Sequence, residues 1–425
     1  MNEEIKERLE QIRRGELPNG YQRTKAGIFP DEWTVGRFSD ILHNEPRPVA
    51  KPDKPYWRVG VRSWAKGTFQ TYVDDPSKVD MEELYVVREN DLIVNITFAW
   101  EQAIALVKKE DDGLLVSHRF PTYVFDNGNV PFFYKEFASQ HRFKYLLEMI
   151  SPGGAGRNRV LDRKAFLNLP VPVPSLVEQQ RIAEILSAQD SVIELKERLI
   201  AEKQRQKKYL MQQLLTGKQR LPGFTDDWKP YIVGKIGEFY GGLSGKSKDD
   251  FGTGSHSYIT FKNVLENTVI NPKQVARFRL NEGEKQNAVK KFDLFFNLSS
   301  ETAEEVGMCA VLLEDLSNTY LNSFCIGFRT HEKTVLAHWL SYYFNSPVGR
   351  EKMRSLAQGI TRVNLNRAAF SNMTILIPSM EEQNMIADIL SAADREIELL
   401  RASLEQEKRK KKALSQLLLT GIVRV

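Results

Sequence analysis

Cysteine is scarce in this sequence of 425 residues, and long hydrophobic runs and a strong charge imbalance are missing from it. Its two cysteines, Cys309 and Cys325, lie in apolar stretches without CxxC spacing, which excludes a disulfide framework. No apolar run approaches the ~18 residues of a membrane span, and the charged start MNEEIKERLE is not a secretion signal. Lys and Arg number 60 against 55 Asp and Glu, and this net charge of +5 permits a polyanionic partner without requiring one. We therefore expect a soluble, cytoplasmic protein with two or three globular units.

The motifs of known catalytic sites are absent as well. The six histidines are scattered without HExxH spacing, and no GxSxG, protein-kinase or amino-methyltransferase signature is found. Gly241–Ser247 is similar to a phosphate-binding loop, but it has one residue too few between Gly241 and Gly245 for the GxxxxGK[ST] motif. A flexible glycine-rich loop is the favoured interpretation, and a nucleotide hydrolase that uses this segment is the alternative. We predict no catalytic residue, no metal ligand and no enzymatic activity.

The sequence contains an internal repeat. Residues 175–217 match residues 379–421 at a constant offset, and about half of the positions are identical. The match extends upstream to the pairs Leu161/Leu365, Arg163/Arg367, Phe166/Phe370 and Pro174/Pro378, and Gly27–Trp33 parallels Gly223–Trp228. The chain is thus a duplicated unit of about 200 residues, with a variable globular half and a near-identical helical half. We predict an N-terminal helical segment (1–21), two globular domains (22–174 and 222–378) and two long helices (175–221 and 379–425).

The helical halves have the apolar spacing of a coiled coil, with a mean period of 3.5 residues. The predicted seam consists of Ile182, Leu186, Ile193, Ile200, Leu210 and Leu214 in the first copy and Ile386, Leu390, Ile397, Leu404, Leu414 and Leu418 in the second. Lys203, Lys207, Glu407 and Lys411 interrupt the seam, either as solvated charge or as pairs between two helices. We expect the helices to pack antiparallel, because this orientation gives the duplicated halves a pseudo-two-fold axis.

The globular halves mix strand and helix patterns, which predicts two copies of an α+β domain. The expected strands are Trp57–Val61, Asp91–Ile96 and Thr122–Phe125 in the first copy and Tyr258–Phe261, Asp293–Asn297 and Cys325–Phe328 in the second. Helices are expected over Lys135–Ile150 and Leu336–Phe344, and closing strands over Leu169–Val173 and Met373–Ile377. Trp33 and Trp228 are expected to be core residues at the start of each domain.

Basic and glycine-rich segments recur at equivalent points of both copies and suit nucleic acid. Cations contact phosphates, while Arg and Asn can make paired contacts to base edges and glycine lets the backbone approach. The candidate DNA-binding residues are Arg62, Lys66, Arg157, Asn158 and Arg159 in the first copy and Lys262, Asn263, Thr361, Arg362 and Asn364 in the second. A merely solvated loop is the alternative for each segment taken alone, and their recurrence favours function.

The paired motifs resemble those of specificity subunits of type I restriction-modification systems, over nearly the full length. These motifs are Gly27-x-x-Pro-x-x-Trp33, the segments Pro174-Ser-x-x-Glu-Gln179-x-x-Ile182 and Leu214-Leu-Thr-Gly217, and their second copies at 378–386 and 418–421. The second domain opens with Gly223-Phe-Thr-Asp-Asp-Trp228, which lacks the proline.

This resemblance implies two target recognition domains (22–174 and 222–378) that each read one half of a bipartite, asymmetric DNA site. It also implies spacer helices that form an antiparallel coiled coil, two DNA adenine methyltransferase subunits as partners, and restriction subunits in the same assembly. S-adenosylmethionine, ATP and Mg²⁺ would then be bound by those partners and not by this chain. The rival functions are a coiled-coil adaptor without DNA affinity and the nucleotide hydrolase; a fused restriction-methylation enzyme is excluded by the missing motifs and length.

Overall fold

The computed structural model describes residues 3–153, 159–331, 335–359 and 362–425. The chain divides into two compact units. Unit 1 consists of residues 1–196 together with 403–425, and unit 2 consists of residues 197–402. Unit 1 is therefore built from both ends of the chain, whereas unit 2 is continuous.

Most helices are short, and two are very long. The α-helices are α1 (Glu3–Arg13), α2 (Pro131–Ala138), α3 (His141–Met149), α4 (Arg163–Leu167), α5 (Leu176–Leu214), α6 (Phe261–Glu266), α7 (Ala337–Asn345), α8 (Pro347–Ser355), α9 (Arg367–Ser371) and α10 (Met380–Leu418). Among the described residues, no helix is both long and apolar enough to cross a membrane.

Unit 1 contains the first thirteen strands. They are β1 (Tyr21–Arg23), β2 (Ile28–Pro30), β3 (Thr34–Arg37), β4 (Leu42–Asn44), β5 (Pro48–Ala50), β6 (Tyr56–Val61), β7 (Thr68–Val73), β8 (Glu83–Val86), β9 (Leu92–Val94), β10 (Ile104–Leu106), β11 (Leu115–Val116), β12 (Thr122–Phe125) and β13 (Pro170–Val173). One sheet has the order β10-β9-β12-β4 and is antiparallel, and a second has the mixed order β5-β8-β11-β6-β7. The closing strand β13 pairs antiparallel with β3.

Unit 2 repeats the four-stranded sheet and the closing strand pair of unit 1, but its second sheet has three strands instead of five. Its strands are β14 (Lys229–Ile232), β15 (Gly237–Gly241), β16 (Phe251–Ile259), β17 (Val275–Phe278), β18 (Leu294–Asn297), β19 (Ser299–Ser300), β20 (Cys309–Val311), β21 (Thr319–Leu321), β22 (Cys325–Thr330), β23 (Ala357–Gln358), β24 (Val363–Leu365) and β25 (Thr374–Ile377). The sheet β20-β18-β22-β15 matches β10-β9-β12-β4 strand for strand, and β25 pairs with β14 as β13 pairs with β3. The β21-β16 pair is parallel, as is β11-β6. The predicted α+β fold, duplicated, is confirmed.

Two sequence expectations differ from the structure in detail. The single helix expected over Lys135–Ile150 is two helices, α2 and α3, because Gln140 has an extended backbone (φ −72°, ψ 147°). The strand expected over Tyr258–Phe261 ends at Ile259, and Phe261 begins α6. There the Thr260 hydroxyl accepts a hydrogen bond from the Asn263 N–H at 3.2 Å, which caps the helix.

The long helices pack against each other antiparallel within each unit. In unit 1, Lys196 of α5 pairs with Glu407 of α10 at 3.1 Å, and further towards the start of α5, Asp190 pairs with Lys411 at 2.7 Å. In unit 2, Lys203 pairs with Glu396 at 2.7 Å. Earlier residues of one helix therefore meet later residues of the other, as expected for the antiparallel orientation.

The predicted seam residues lie on the inner face of these helices. Ile182, Leu186, Leu390 and Leu418 are at most 2% exposed, and the other apolar seam positions are buried or half-buried. The lysines that interrupt the seam carry charge pairs: Lys207 contacts Asp394 in unit 2, and Lys411 contacts Asp190 and Glu136 in unit 1. Burial opposes the charge of Lys411, but Glu136 and Asp190 outweigh it and raise its pKa. Pairing across the helices, and not solvation, explains these interruptions.

A repeated network attaches each globular domain to its helix. In unit 1, Glu178 accepts hydrogen bonds from Arg424 Nε at 2.6 Å and Nη2 at 2.9 Å and from the Trp33 indole at 3.0 Å. In unit 2, Glu382 accepts the same set, with Arg220 Nε at 2.8 Å and the Trp228 indole at 3.1 Å. The glutamate of the repeated Glu-Gln motif therefore joins three segments distant in sequence in unit 1 and two in unit 2.

The glutamine of the same motif holds the helical layer of each domain. Gln179 accepts from the Val130 N–H at 3.0 Å, just before α2. Gln383 accepts from the Leu336 N–H at 2.7 Å, just before α7. The repeated motif is thus explained by domain attachment, and α2 and α7 occupy equivalent places.

Candidate nucleic-acid interface

In unit 1 the loop between β6 and β7 carries Arg62 and Lys66, both exposed. At its tip, Trp64 and Ala65 have positive φ angles of 63° and 50°, a conformation that costs a non-glycine residue about 1–3 kcal/mol. Their N–H groups donate to the Glu101 and Gln102 carbonyls at 2.7 and 2.8 Å. These bonds fix the loop on the turn that follows β9.

Cations lie over aromatic rings on this turn, on the loop bonded to it and on β7. Arg159 lies 5.3 Å from the centre of the Trp100 ring, and Lys144 of α3 lies 4.7 Å from the centre of Trp64. Arg62 covers Phe69 at 5.0 Å and also donates to the Thr68 carbonyl. The structure therefore brings Arg62, Lys66 and Arg159 to one edge of the domain, which we call edge 1.

In unit 2 the equivalent connection, between β16 and β17, contains α6 with Lys262 and Asn263. The Lys262 side chain is 76% exposed and lies only 3.7 Å from Glu266. Asn263 is fully buried, and its amide donates to the Asn271 and Gln274 carbonyls at 2.9 and 3.1 Å. The connection is thus in the expected place, but the Asn263 amide is used to fold the loop and is not presented to a ligand.

Arg362 and Asn364 lie at the same end of unit 2. Arg362 is exposed and lies 5.6 Å from the centre of Phe324, which is 52% exposed. The turn that holds Phe324 is bonded to the end of β16, because the Asn322 N–H donates to the Ile259 carbonyl at 3.1 Å. Since α6 begins directly after this point, Lys262 and Arg362 share an edge, which we call edge 2. Asn364 is exposed on β24 and pairs through its backbone with Ser299.

Arg157, Asn158 and Thr361, which the sequence also nominated, lie outside the described residues. The sequence did not nominate Trp100, Lys144 or Phe324. Each is far in sequence from its ring or cation partner, so no spacing rule reveals the pair. The signal available in the sequence was the run Thr97-Phe98-Ala99-Trp100, which places two aromatic residues directly after a strand. In the structure Phe98 is exposed and Trp100 is half-buried, which is unusual for large aromatic residues in a turn.

The Gly241–Ser247 segment does not have the geometry of a phosphate loop. Only the short 3₁₀ turn Lys248–Asp250 follows it, so no helix N-terminus points at the loop. Lys246 is 3% exposed, pairs with Glu284 and donates to the Arg279 carbonyl at 2.8 Å. A Cβ on Gly242 would lie 2.1 Å from the Asn322 carbonyl oxygen, so this glycine serves close packing. Among the described residues, no cluster of His, Cys, Asp and Glu is arranged to hold a metal ion.

The chain is similar to known specificity proteins. The sequence model of a family described as "Type I restriction modification DNA specificity domain" matches residues 30–204 and 225–408. The putative type I restriction enzyme MjaX specificity subunit of Methanocaldococcus jannaschii is 22% identical, over 95% of this chain and 97% of that protein. The MjaVIII specificity subunit of the same organism is 23% identical over 62% of this chain, and the match spans 64% of its length.

Two solved structures share the fold. One comes from a study of the complex assembly and conformational transition of a type I R-M system; it has a TM-score of 0.58 and 18% identity, covering 93% of this chain and 99% of its own. The other is the S subunit of a type I restriction-modification system from M. genitalium, with a TM-score of 0.55 and 14% identity over 95% of this chain and 97% of its own. Because the family match covers both globular halves and most of both long helices, the chain belongs to the type I restriction-modification DNA specificity family.

Proposed function

We propose that this chain is the DNA specificity subunit of a type I restriction-modification complex, with one globular domain for each half of a bipartite site. One observation carries the proposal: in each of two domains of unlike sequence, exposed cations and an arginine over an aromatic ring lie at the edge that holds the connection after β6 in unit 1 and after β16 in unit 2. Edge 1 contains Lys66 and Arg159, and edge 2 contains Lys262 and Arg362. The rings beside these cations differ, Trp100 in edge 1 and Phe324 in edge 2, and such differences suit two unlike half-sites.

The edges combine the two kinds of contact that DNA recognition needs. Exposed Lys66 and Lys262 suit phosphates, which position a protein on the duplex. Arg159 and Arg362 carry the paired donors that read guanine, and Asn364 carries the donor and acceptor that read adenine. The rings under Arg159 and Arg362 hold each guanidinium in a fixed orientation, so less conformational entropy is lost on binding.

The long helices are proposed to set the gap between half-sites. Each has 39 residues, which at ~1.5 Å per residue makes a rod of about 58 Å. A rod of fixed length specifies a spacing in the way that dimeric DNA readers specify half-site separation.

The chemistry is proposed to belong to partner subunits. Methylation of adenine requires the base to leave the stack and enter an enclosed pocket. We therefore propose that two methyltransferase subunits bind this chain and flip the base, and that restriction subunits join the same assembly. S-adenosylmethionine, ATP and Mg²⁺ would be held by these partners, and this chain would act without a catalytic residue of its own.

Genome-wide mapping of methyladenine, with and without this gene, tests the proposal. We expect a bipartite motif that disappears when the gene is deleted. Replacing residues 222–378 with the domain of a relative should change one half of that motif and leave the other half unchanged. An unaltered methylome after deletion would refute the proposal and favour a coiled-coil adaptor.

Single-residue variants test the two edges. Arg159→Ala and Arg362→Ala should each weaken duplex binding by the methyltransferase complex, by about 10-fold or more if a base contact is lost. Lys248→Ala, a basic residue of unit 2 outside edge 2, serves as the control for general charge. Binding that stays equal to wild type across a salt titration would exclude that arginine from the interface.

A further inference from the structure

A cavity of about 410 Å³ opens in unit 1 between the N-terminal segment, the junction of α2 and α3, and the end of α10. Ile12 of α1, the hairpin of β1 and β2, Gln140 and Leu419 each contribute to its wall. Its volume lies in the range of about 300–1,000 Å³ that is usual for small-molecule sites. Among the residues that the structure describes, those of edge 1 do not line the cavity, so the two sites are separate.

The buried part of the lining is aromatic. Phe29, Phe137 and Phe143 are at most 5% exposed, and their ring centres lie 6.4 Å apart for Phe29 and Phe137 and 5.7 Å apart for Phe137 and Phe143. Leu419 and Ile422, which follow α10, complete the apolar lining. Aromatic rings favour offset-stacked or edge-to-face contacts with one another, so this lining suits a ligand with an aromatic body.

The exposed part of the lining is cationic. It consists of Arg23, His141 and Arg142, and none of the described lining residues is acidic. Arg23 donates one hydrogen bond to the Gly15 carbonyl at 2.8 Å, and Arg142 donates one to the Lys25 carbonyl at 2.7 Å. Each guanidinium has five N–H donors, so both arginines are held in place and keep donors for a ligand. Positive charge without a carboxylate in the same lining selects an anion.

The segment that builds this cavity belongs to one copy of the repeat. In unit 1, α1, β1 and β2 precede β3, whereas in unit 2 the described chain passes from the end of α5 to the start of β14 without a helix or strand between them. This segment also holds the residues after α10, because Arg8 donates to the Ile422 carbonyl at 3.2 Å and the Tyr21 hydroxyl donates to the Gly421 carbonyl at 2.8 Å. A feature that serves half-site reading is expected in both copies, so a cavity in one copy indicates a separate role.

We propose that this cavity binds a small organic anion with an aromatic body, and that the bound anion holds unit 1 closed. The aromatic body packs on Phe29, Phe137 and Phe143, and the anionic group pairs with Arg23 and Arg142. Because both ends of the chain build the cavity, it exists only in the folded unit, and a ligand that occupies it stabilises unit 1 by mass action. The inference goes beyond the proposed function and does not depend on DNA binding.

Titration of the full chain with 2-naphthoate tests the site, and 2-naphthamide is the uncharged counterpart. Isothermal titration calorimetry should give one molecule of 2-naphthoate per chain. The amide should bind about 10-fold more weakly or worse, because it lacks the charge that pairs with Arg23 and Arg142. At a 2-naphthoate concentration of about 100 times its Kd, hydrogen exchange in β1, β2 and the last turn of α10 should slow about 100-fold. Exchange in unit 2 should stay unchanged.

Two variants locate the binding. Gln140→Trp places a large ring in the cavity, and the fold should tolerate it because the Gln140 side chain does not cap α3. Arg23→Glu combined with Arg142→Glu reverses the exposed charge. Each variant should weaken 2-naphthoate binding by about 10-fold or more. The matched control is Arg119→Glu, which changes an exposed arginine of unit 1 outside the cavity lining and should retain wild-type affinity.

The possible outcomes decide the assignment. Weaker binding in both variants, with wild-type circular dichroism and an unaffected Arg119→Glu, would support the cavity. A lack of saturable binding at millimolar 2-naphthoate would overturn the proposal, as would equal affinities for the acid and the amide. Wild-type affinity in both variants would place the ligand elsewhere and would also overturn it. None of these measurements involves DNA, so the proposed function stands or falls separately.

Discussion

Removing the guanidinium of Arg424 should loosen unit 1 and leave unit 2 unchanged. This penultimate residue binds Glu178 through two hydrogen bonds, and it also contacts Glu32 at 2.8 Å. The Glu178 side chain is 6% exposed, so Arg424→Ala leaves a buried carboxylate with the Trp33 indole as its remaining side-chain donor. The hydrogen bonds to Glu178 also raise the pKa of the guanidinium, so the arginine is charged at every pH of interest.

The expected cost follows from this geometry. Breaking a fully buried ion pair by removing one partner costs about 3–5 kcal/mol. Because Arg424 is 36% exposed, water can reach the vacated position, and we expect about 2–3 kcal/mol for unit 1. Arg424→Lys should lose about half of this amount, because an ammonium cannot make the paired contact.

Hydrogen exchange measured by mass spectrometry can assign the loss to one unit. A cost of 2–3 kcal/mol corresponds to roughly 30- to 150-fold faster exchange in the amides that open with this contact. These should include β1, β2 and the first turns of α5. The matched variant is Arg220→Ala, which removes the equivalent pair with Glu382 and should accelerate exchange only in unit 2. Wild-type exchange in Arg424→Ala, or equal acceleration in both units, would refute the reasoning.

Three further results are expected. Burial lowers the pKa of His338 from its ordinary value of 6.5, so the unfolded chain takes up a proton first and unit 2 should lose stability as pH falls below about 6.5. His338→Phe introduces the side chain that Phe132 provides at the same place in α2. This variant should remove the loss of stability in urea titrations between pH 7.5 and 5. Asn263→Ala should destabilise unit 2 by about 1–3 kcal/mol, because it leaves buried carbonyls without their hydrogen-bond donor. Lys262→Ala should instead leave thermal unfolding unchanged and weaken DNA binding. The opposite pattern would contradict the roles assigned to these two neighbouring residues. Gly421→Ala should destabilise unit 1 by more than ~1 kcal/mol, because the φ of Gly421 is +65° and an added Cβ would lie 2.5 Å from Pro30 Cγ. Gly15→Ala is the milder control in thermal unfolding, because Gly15 has a φ of +81° but no atom lies within 4 Å of an added Cβ.

The parts of the fold that were predictable from sequence are those with local causes. The seam residues of α5 and α10 recur at a spacing close to the helical period, which places them on one face of each helix. Strands β9 and β18 follow the repeated Asp-Leu-x-x-Asn pattern, in which Asp91 and Asp293 are buried and bind Arg47 and Arg329. The antiparallel orientation was predictable because duplication supplies a symmetry argument that a single helix lacks.

The parts that were not predictable depend on contacts between distant segments. The roles of the edge residues Trp100 and Phe324 are evident only from the structure, in which Arg159 and Arg362 lie over their rings. Asn263 was nominated beside Lys262 because the two are adjacent, but consecutive residues of a helix point in different directions, and one is buried while the other is exposed. The role of Arg424 was hidden because Glu178 lies in the opposite half of the chain.

The discontinuity of unit 1 has a consequence for its biosynthesis. Residues 197–402 form a continuous segment that contains the whole of unit 2, whereas Trp33 and Ile182 must wait for Leu418 and Leu419 to cover them. At 5–20 residues per second, translation of residues 197–425 lasts roughly 10–50 s, during which the N-terminal half exposes an unfinished apolar surface. A chain truncated between residues 402 and 418 would therefore keep every residue of unit 2 and leave unit 1 open, and chaperones or proteases should distinguish the two.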